Sequence, residues 1–335
     1  MLYVRPLLCS GLILLASAAS LRAEIRADFE SDRDPAIAVP APIQGHTKRL
    51  KTLWLQALGR PEGDLQRMAA DAFARGHTAG IPDLDESIPA LTTMLAAPAT
   101  QHEARLAAAQ ALVTFEAKQA APQLAEAARL HGADVRQIIE PTLAAWKYQP
   151  LHEVWKSRLT AAGVRHRDLI LAIRCLATVE DNSQAAALLA IVHDRFRPPA
   201  VRSEAARAAG QLQVQGLESD AAQLIAGPAP LPMVDRLCAV LLLAGHDGAD
   251  ALQLLTQLAA DAEPAVAVVA WQRLIAVDSP RILPLAGRAI ESADPKVRQL
   301  GTEAYVLNPD PPRVAALARL LDDRHPDVRR EDSEG

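Results

Sequence analysis

Two His-Glu pairs are the residues of this chain whose types could bind a metal ion. They are His102-Glu103 and His152-Glu153. Imidazole and carboxylate groups are ligands for iron and zinc, but a metal centre needs at least three of them converging on one point. These pairs lie 50 residues apart and are expected in different helices. We therefore predict no metal site, and interpret both histidines as residues of helix starts.

The remaining polar residues do not form a recognisable catalytic arrangement. No histidine has a second histidine four residues away, and the sequence has neither a Gly-x-Ser-x-Gly turn nor a phosphate-binding loop. Cys175 and Cys238 are interpreted as small buried apolar side chains, because helical layers lie too far apart for them to form a disulfide. We therefore predict that the chain is not an enzyme and has no cofactor.

The aromatic residues are concentrated in one segment. Only 3% of the residues are aromatic, yet Trp146, Tyr148 and Trp155 lie close together, next to Lys156 and Arg158. Aromatic side chains beside basic ones are typical anchors of protein interfaces. The alternative is that the rings fill a bend between two helices. We predict that these five residues contact a partner.

The overall charge weighs against nucleic-acid binding. The formal net charge is −5, and half of the residues are apolar. A nucleic-acid partner would require a basic stripe, which is missing here. After the first residues no apolar run is long enough to cross a membrane, so we predict no membrane contact once the N-terminal signal is removed.

The N-terminal residues predict export. Residues 1–23 contain a basic residue, an apolar run and a small residue before Glu24, as in a secretory signal peptide. The run is shorter than the roughly 18 to 20 residues of a spanning helix, although an uncleaved anchor stays an alternative. Residues 24–46 alternate charges with prolines and are predicted to be a flexible linker. We expect a periplasmic or secreted protein.

An internal repeat organises the rest of the chain. Five prolines recur at intervals of 31 to 33 residues, and a valine follows each of them two residues later. A period of this length holds one supersecondary unit, which must stack on its neighbours to bury its apolar face. We predict an all-α superhelix of about eight helical hairpins over residues 98–335, with a last unit that stops inside its first helix. Residues 47–97 are predicted to be an N-terminal helical cap.

The repeated motif has a physical explanation. In the repeat around Pro295, Asp294 is placed to cap a helix, and the proline occupies the first turn, where its missing N–H costs nothing. Small residues at helical spacing let neighbouring helices approach closely. Gly210, Gly245 and Asn308 are expected to stop helices.

These motifs carry a family resemblance. Asp-Pro-x-Val-Arg at 294–298, Pro-Pro-Ala-Val-Arg at 198–202 and His-Pro-Asp-Val-Arg at 325–329 resemble HEAT repeats, especially the short bacterial type also found in phycobilin lyase subunits. The resemblance implies an α-α superhelix whose second helices line a concave, partner-binding side. The polar residues that we expect there to bind a partner are Gln123, Glu126, Gln223, Gln253 and Gln257.

The family includes scaffolds, transport adaptors and a few enzymes. Deoxyhypusine hydroxylase, a HEAT-like enzyme, binds two irons through repeated histidines and glutamates, and the present chain has too few such pairs to resemble its site. We predict an exported, non-enzymatic protein-interaction scaffold, with self-association through the C-terminal end face as a further expectation. The alternative is an accessory subunit of an enzyme or chromophore lyase that acts with a partner chain.

Overall fold

The computed structural model describes residues 47–228, 230–277 and 280–329. The predicted signal peptide (1–23) and linker (24–46) lie outside these residues. From Lys48 onward the chain forms one compact unit. The described residues form helices and no β-strand, which confirms the predicted all-α fold. None of the described helices has the length and apolar composition needed to cross a membrane.

The helices form two layers. A first helix, α1 (Thr47–Leu58), precedes the stack. The first layer consists of α2 (Gly63–Thr78), α4 (His102–Thr114), α6 (Gly132–Ala145), α8 (His166–Thr178), α10 (Pro199–Leu212), α12 (Met233–Leu243), α14 (Pro264–Ala276) and α16 (Pro295–Leu307). The second layer consists of α3 (Ile88–Ala96), α5 (Ala121–Leu130), α7 (His152–Thr160), α9 (Ala185–His193), α11 (Glu218–Ile225), α13 (Ala249–Ala259), α15 (Leu283–Ala289) and α17 (Pro311–Leu320). Seven of these hairpins lie in the described residues after 97, close to the predicted number of about eight, and α2 with α3 forms one more within the segment predicted to be a cap.

Neighbouring hairpins hold the stack together. Successive first-layer helices pack against one another from α2 to α16, and each second-layer helix from α3 to α15 packs against the first-layer helix of the next hairpin. This arrangement is compatible with the predicted HEAT-like solenoid. Helices α2 and α3 both pack on α4, which repeats the contacts that the later hairpins make with their neighbours. The packing pattern therefore begins within the segment 47–97 that was predicted to be a cap.

The repeated prolines mark helix starts as predicted. Pro199, Pro264 and Pro295 are the first residues of α10, α14 and α16, and Pro232 directly precedes α12. Proline fits this position because the first N–H groups of a helix have no intrahelical acceptor.

The predicted cap at Asp294 is present. Its Oδ1 accepts hydrogen bonds from the backbone N–H groups of Lys296 at 2.9 Å and Val297 at 3.0 Å. The bonds satisfy two of the free N–H groups at the start of α16. The capping carboxylate and the proline together fix where this helix begins.

The repeated arginine caps the helix before it. In two repeats this arginine reaches back to a carbonyl group at the end of the preceding second-layer helix, whose last carbonyl oxygens have no intrahelical donor, and in a third it reaches the turn after that helix. The bonds run from Arg105 to Ala97 O at 2.8 Å, from Arg202 to Val192 O at 2.8 Å, and from Arg298 to Ala293 O at 3.0 Å. The motif thus joins successive hairpins.

Small residues bring the first-layer helices close together. Gly210 was expected to stop a helix, but it lies inside α10, and this expectation is wrong. A Cβ atom there would lie 2.5 Å from the carbonyl oxygen of Leu241 and 2.6 Å from that of Leu242. Glycine is needed because the backbones of α10 and α12 approach each other at this point. Gly245 and Asn308 do follow the ends of α12 and α16, as predicted.

Candidate functional site

The predicted aromatic patch is not an exposed surface. The side chain of Trp155 is fully buried on α7, and its indole N–H donates a hydrogen bond to Glu140 Oε2 at 3.1 Å. Trp146 and Tyr148 are half-buried and pack against the core. The prediction that Trp155 contacts a partner is therefore wrong, because its ring has no accessible surface. The three rings fill the space around the joint between α6 and α7, which was the alternative interpretation.

The two basic residues of this patch have internal partners. Arg158 makes two hydrogen bonds to the buried Glu140, from Nη1 to Oε2 at 2.6 Å and from Nη2 to Oε1 at 2.8 Å. Burial acts to lower the pKa of Arg158, but the hydrogen bonds and the charge of Glu140 outweigh this effect and raise it. Lys156 Nζ lies 3.2 Å from both Glu153 Oε1 and Asp181 Oδ2. Both basic groups therefore stabilise the joints between helices.

The predicted polar residues of the second layer are on the surface. Five side chains on α5, α11 and α13 are exposed: Gln123, Glu126, Gln223, Gln253 and Gln257. Glu126 is paired on its own helix, accepting a hydrogen bond from Arg129 Nε at 2.8 Å. The four amides keep both hydrogen-bond donors and acceptors in contact with solvent. These five residues are called the second-layer polar row below.

The two His-Glu pairs do not form a common site. His102 is exposed, and its Nε2 lies 3.8 Å from Asp134 Oδ2. The ring of His152 packs on Trp155 with 5.5 Å between centroids. Within 47–228, 230–277 and 280–329, no three histidine, cysteine, aspartate or glutamate side chains are placed to hold one metal ion.

The two described cysteines are not activated as nucleophiles. Cys175 and Cys238 are buried and free, as their interpretation as small apolar side chains requires. Burial raises the pKa of both thiols, and that of Cys238 reaches about 11. The thiolate is the reactive form of cysteine, so both side chains stay unreactive near neutral pH.

One exposed residue was missed by the sequence analysis. The side chain of Phe196 is 100% exposed in the loop between α9 and α10. Arg195 on one side pairs with Asp235 at 2.9 Å, and Arg197 on the other pairs with Asp194 at 3.3 Å. The loop is thereby fixed while the ring stays in solvent. The sequence signal was an Arg-Phe-Arg segment before two prolines, which predicts a loop and so leaves an aromatic ring without a core to enter.

The chain was compared with known proteins. No protein-family model matches it, and no curated protein matches it. Among solved structures it is similar to human deoxyhypusine hydroxylase in complex with glycerol, with 16% sequence identity over 75% of this chain and 94% of that chain, and a TM-score of 0.33. The matched protein is an enzyme, which contradicts the prediction that this chain is not one, and that prediction is withdrawn. At this TM-score the match assigns no activity and no site residue to the chain.

Proposed function

We propose that the chain is a HEAT-repeat protein of the short bacterial type that binds another protein along its second layer. The observation that carries the proposal is the exposure of the second-layer polar row on three helices of one layer. Side-chain amides donate and accept hydrogen bonds, so a row of them can pair with the polar groups of a partner surface. The partner would thus contact several hairpins at once.

The exposed ring of Phe196 supports the same proposal. The loop that holds it begins directly after the second-layer helix α9. An aromatic ring loses its contact with water when a partner covers it, and buried aromatic residues contribute most of the affinity in many interfaces. In this proposal Phe196 is an apolar anchor, and the second-layer polar row supplies the polar contacts around it.

The proposed location is the periplasm or the cell surface. It rests on the sequence of residues 1–23, whose charge and apolar run are typical of a secretory signal peptide. The partner would then be another exported protein.

Site-specific photo-crosslinking in the source cells tests the proposal. A photoreactive residue replaces Gln123 on α5 or Gln223 on α11, and in matched controls it replaces Gln110 on α4 or Gln211 on α10. All four glutamines are exposed, but the controls lie in the first layer. We expect one partner protein to be crosslinked from both second-layer positions and from neither control. Equal crosslinking from both layers, or none from the second layer, would contradict the proposal.

A further inference from the structure

Three arginines converge on a cleft between two hairpins. Arg136 comes from α6, Arg158 from α7 and Arg165 from the turn before α8, and together they line a cleft of about 510 Å³. Cavities that bind small molecules have volumes of roughly 300 to 1,000 Å³. Gly132 and Gly163 also line the cleft and leave its rim open, because neither has a side chain.

Two of the arginines are held in place by acidic residues. Arg136 donates from Nε and Nη2 to the two carboxylate oxygens of Asp168, at 3.1 Å each, and Arg158 is bound in the same two-pronged way by Glu140. The side chains of Glu140 and Asp168 are 1% and 12% exposed, whereas those of Arg158 and Arg136 are 17% and 19% exposed. Both acidic groups therefore fix a guanidinium group; Glu140 lies behind the cleft, whereas Asp168 is part of its wall.

The cleft keeps unused donors and an excess of positive charge. A guanidinium group has five N–H donors, and each of these two ion pairs uses two of them. Arg165 is exposed, and its guanidinium makes no hydrogen bond or ion pair with any residue that the structure describes. Three positive groups thus face two negative ones, and the unpaired positive group is at the surface.

We propose that this cleft binds an oxyanion group, either a carboxylate or a phosphate, between Arg165 and the free N–H groups of Arg136 and Arg158. Planar guanidinium groups bind both oxyanions through paired hydrogen bonds, which are stronger than bonds between neutral groups. The two buried carboxylates orient two of the guanidinium groups in advance, so a ligand does not have to order them. This inference does not depend on the proposed protein partner, since it concerns only the residues that line the cleft.

Calorimetric titration of the full chain tests the inference. Inorganic phosphate and succinate are titrated separately at constant ionic strength, into the unmodified chain and into the variants Arg165→Ala and Arg207→Ala. Arg207 is the matched control, because it is an exposed arginine on α10, away from the cleft. Neither substitution removes a described ion pair, so both variants are expected to fold.

We expect saturable binding of one oxyanion or both at one site per chain. Arg165→Ala should weaken this binding about tenfold, the order expected for losing one charged hydrogen-bonding group, and Arg207→Ala should leave it unchanged. Binding of phosphate alone or of succinate alone supports the inference and identifies which oxyanion the cleft selects. Lack of saturation by either compound up to about 10 mM, or equal effects of the two substitutions, would overturn it.

Discussion

Glu140 shows how one buried carboxylate determines what its neighbours do. It accepts hydrogen bonds from the indole N–H of Trp155 and from both terminal nitrogens of Arg158. These two residues have the types of interface anchors, and the sequence analysis assigned them that role. Their shared internal partner instead makes them part of the joint between α6 and α7.

Replacing Glu140 by glutamine should destabilise the fold. The variant keeps the shape of the side chain but leaves Arg158, whose side chain is 17% exposed, without its buried counter-charge. Breaking a buried ion pair in this way typically costs about 3 to 5 kcal/mol of unfolding free energy. Urea denaturation followed by circular dichroism measures the change. The matched control is Glu126→Gln, whose carboxylate is exposed, and its unfolding midpoint should not move; equal midpoints for the two variants would contradict the assignment.

His246 should make the fold sensitive to acid. Its side chain is fully buried after the end of α12, and neither ring nitrogen has a hydrogen-bond partner among the described residues. Burial lowers the pKa of this histidine below its usual range. The folded state therefore favours the neutral ring, and its contribution to stability is present above about pH 6.5 and is lost as the pH falls.

The pH dependence of unfolding measures this contribution. Urea midpoints recorded from pH 7.5 down to pH 5 should fall less steeply for His246→Phe than for the unmodified chain. His166→Phe is the control, because His166 is exposed at the start of α8 and its replacement should leave the slope unchanged. If the His246 variant shows the same slope as the unmodified chain, the histidine does not titrate on unfolding in this range.

At the scale of the elements, Gly210 sets the distance between α10 and α12. A glycine-to-alanine change in an ordinary helix position stabilises the helix by roughly 0.5 to 1 kcal/mol. Here the added methyl group would meet two backbone carbonyl oxygens, which cannot rotate away as a side chain can. The clash between the two helices should therefore outweigh the gain in helix propensity when Gly210 is replaced by alanine.

Gly210→Ala should lower the unfolding free energy by about 1 to 3 kcal/mol, the usual cost of overpacking. Gly76→Ala is the matched control, since Gly76 also lies in a first-layer helix but faces the ends of the Leu84 and Ile81 side chains, which can move. Thermal or chemical unfolding measures both variants. A Gly210 variant as stable as the Gly76 variant would show that α10 and α12 are not in close backbone contact.

The sequence predicts the elements better than the site. The starts of first-layer helices were predictable because proline, valine and a capping carboxylate repeat at a fixed period and act locally. The burial of Trp155 also had a local signal, since Leu151 and Leu159 lie four residues away on either side and share its helix face. The arginine cleft had no local sequence signal, because its three guanidinium groups come from three separate elements that only the packing brings together.

At the scale of the whole molecule, the stack is nearly one-dimensional. Its hairpins contact mainly their neighbours, so stability in such proteins is approximately a sum of repeat and interface terms. A weakened interface should therefore open locally and leave distant hairpins unaffected. Because contacts are mainly between neighbours, a substitution or a bound partner should change the stability of nearby hairpins only.

Hydrogen exchange of the Gly210→Ala variant measures this locality. We expect faster amide exchange in peptides from α10 to α12 and unchanged exchange in α2 to α4, which are separated from α10 by α6 and α8 in the contact chain. The unmodified chain is the reference at the same pH and temperature. Uniformly faster exchange in all hairpins would instead show that the stack unfolds as one cooperative unit.

The central claim is that the second layer binds a partner protein, and the direct measurement is hydrogen exchange of the chain with and without the protein crosslinked through Gln123 and Gln223. The account predicts slower exchange in peptides from α5, α11 and α13 and in the loop that holds Phe196. Peptides of the first-layer helices α4 and α10 should exchange at the same rate in both samples. Protection confined to the first layer, or no protection on α5, α11 and α13, would contradict the claim.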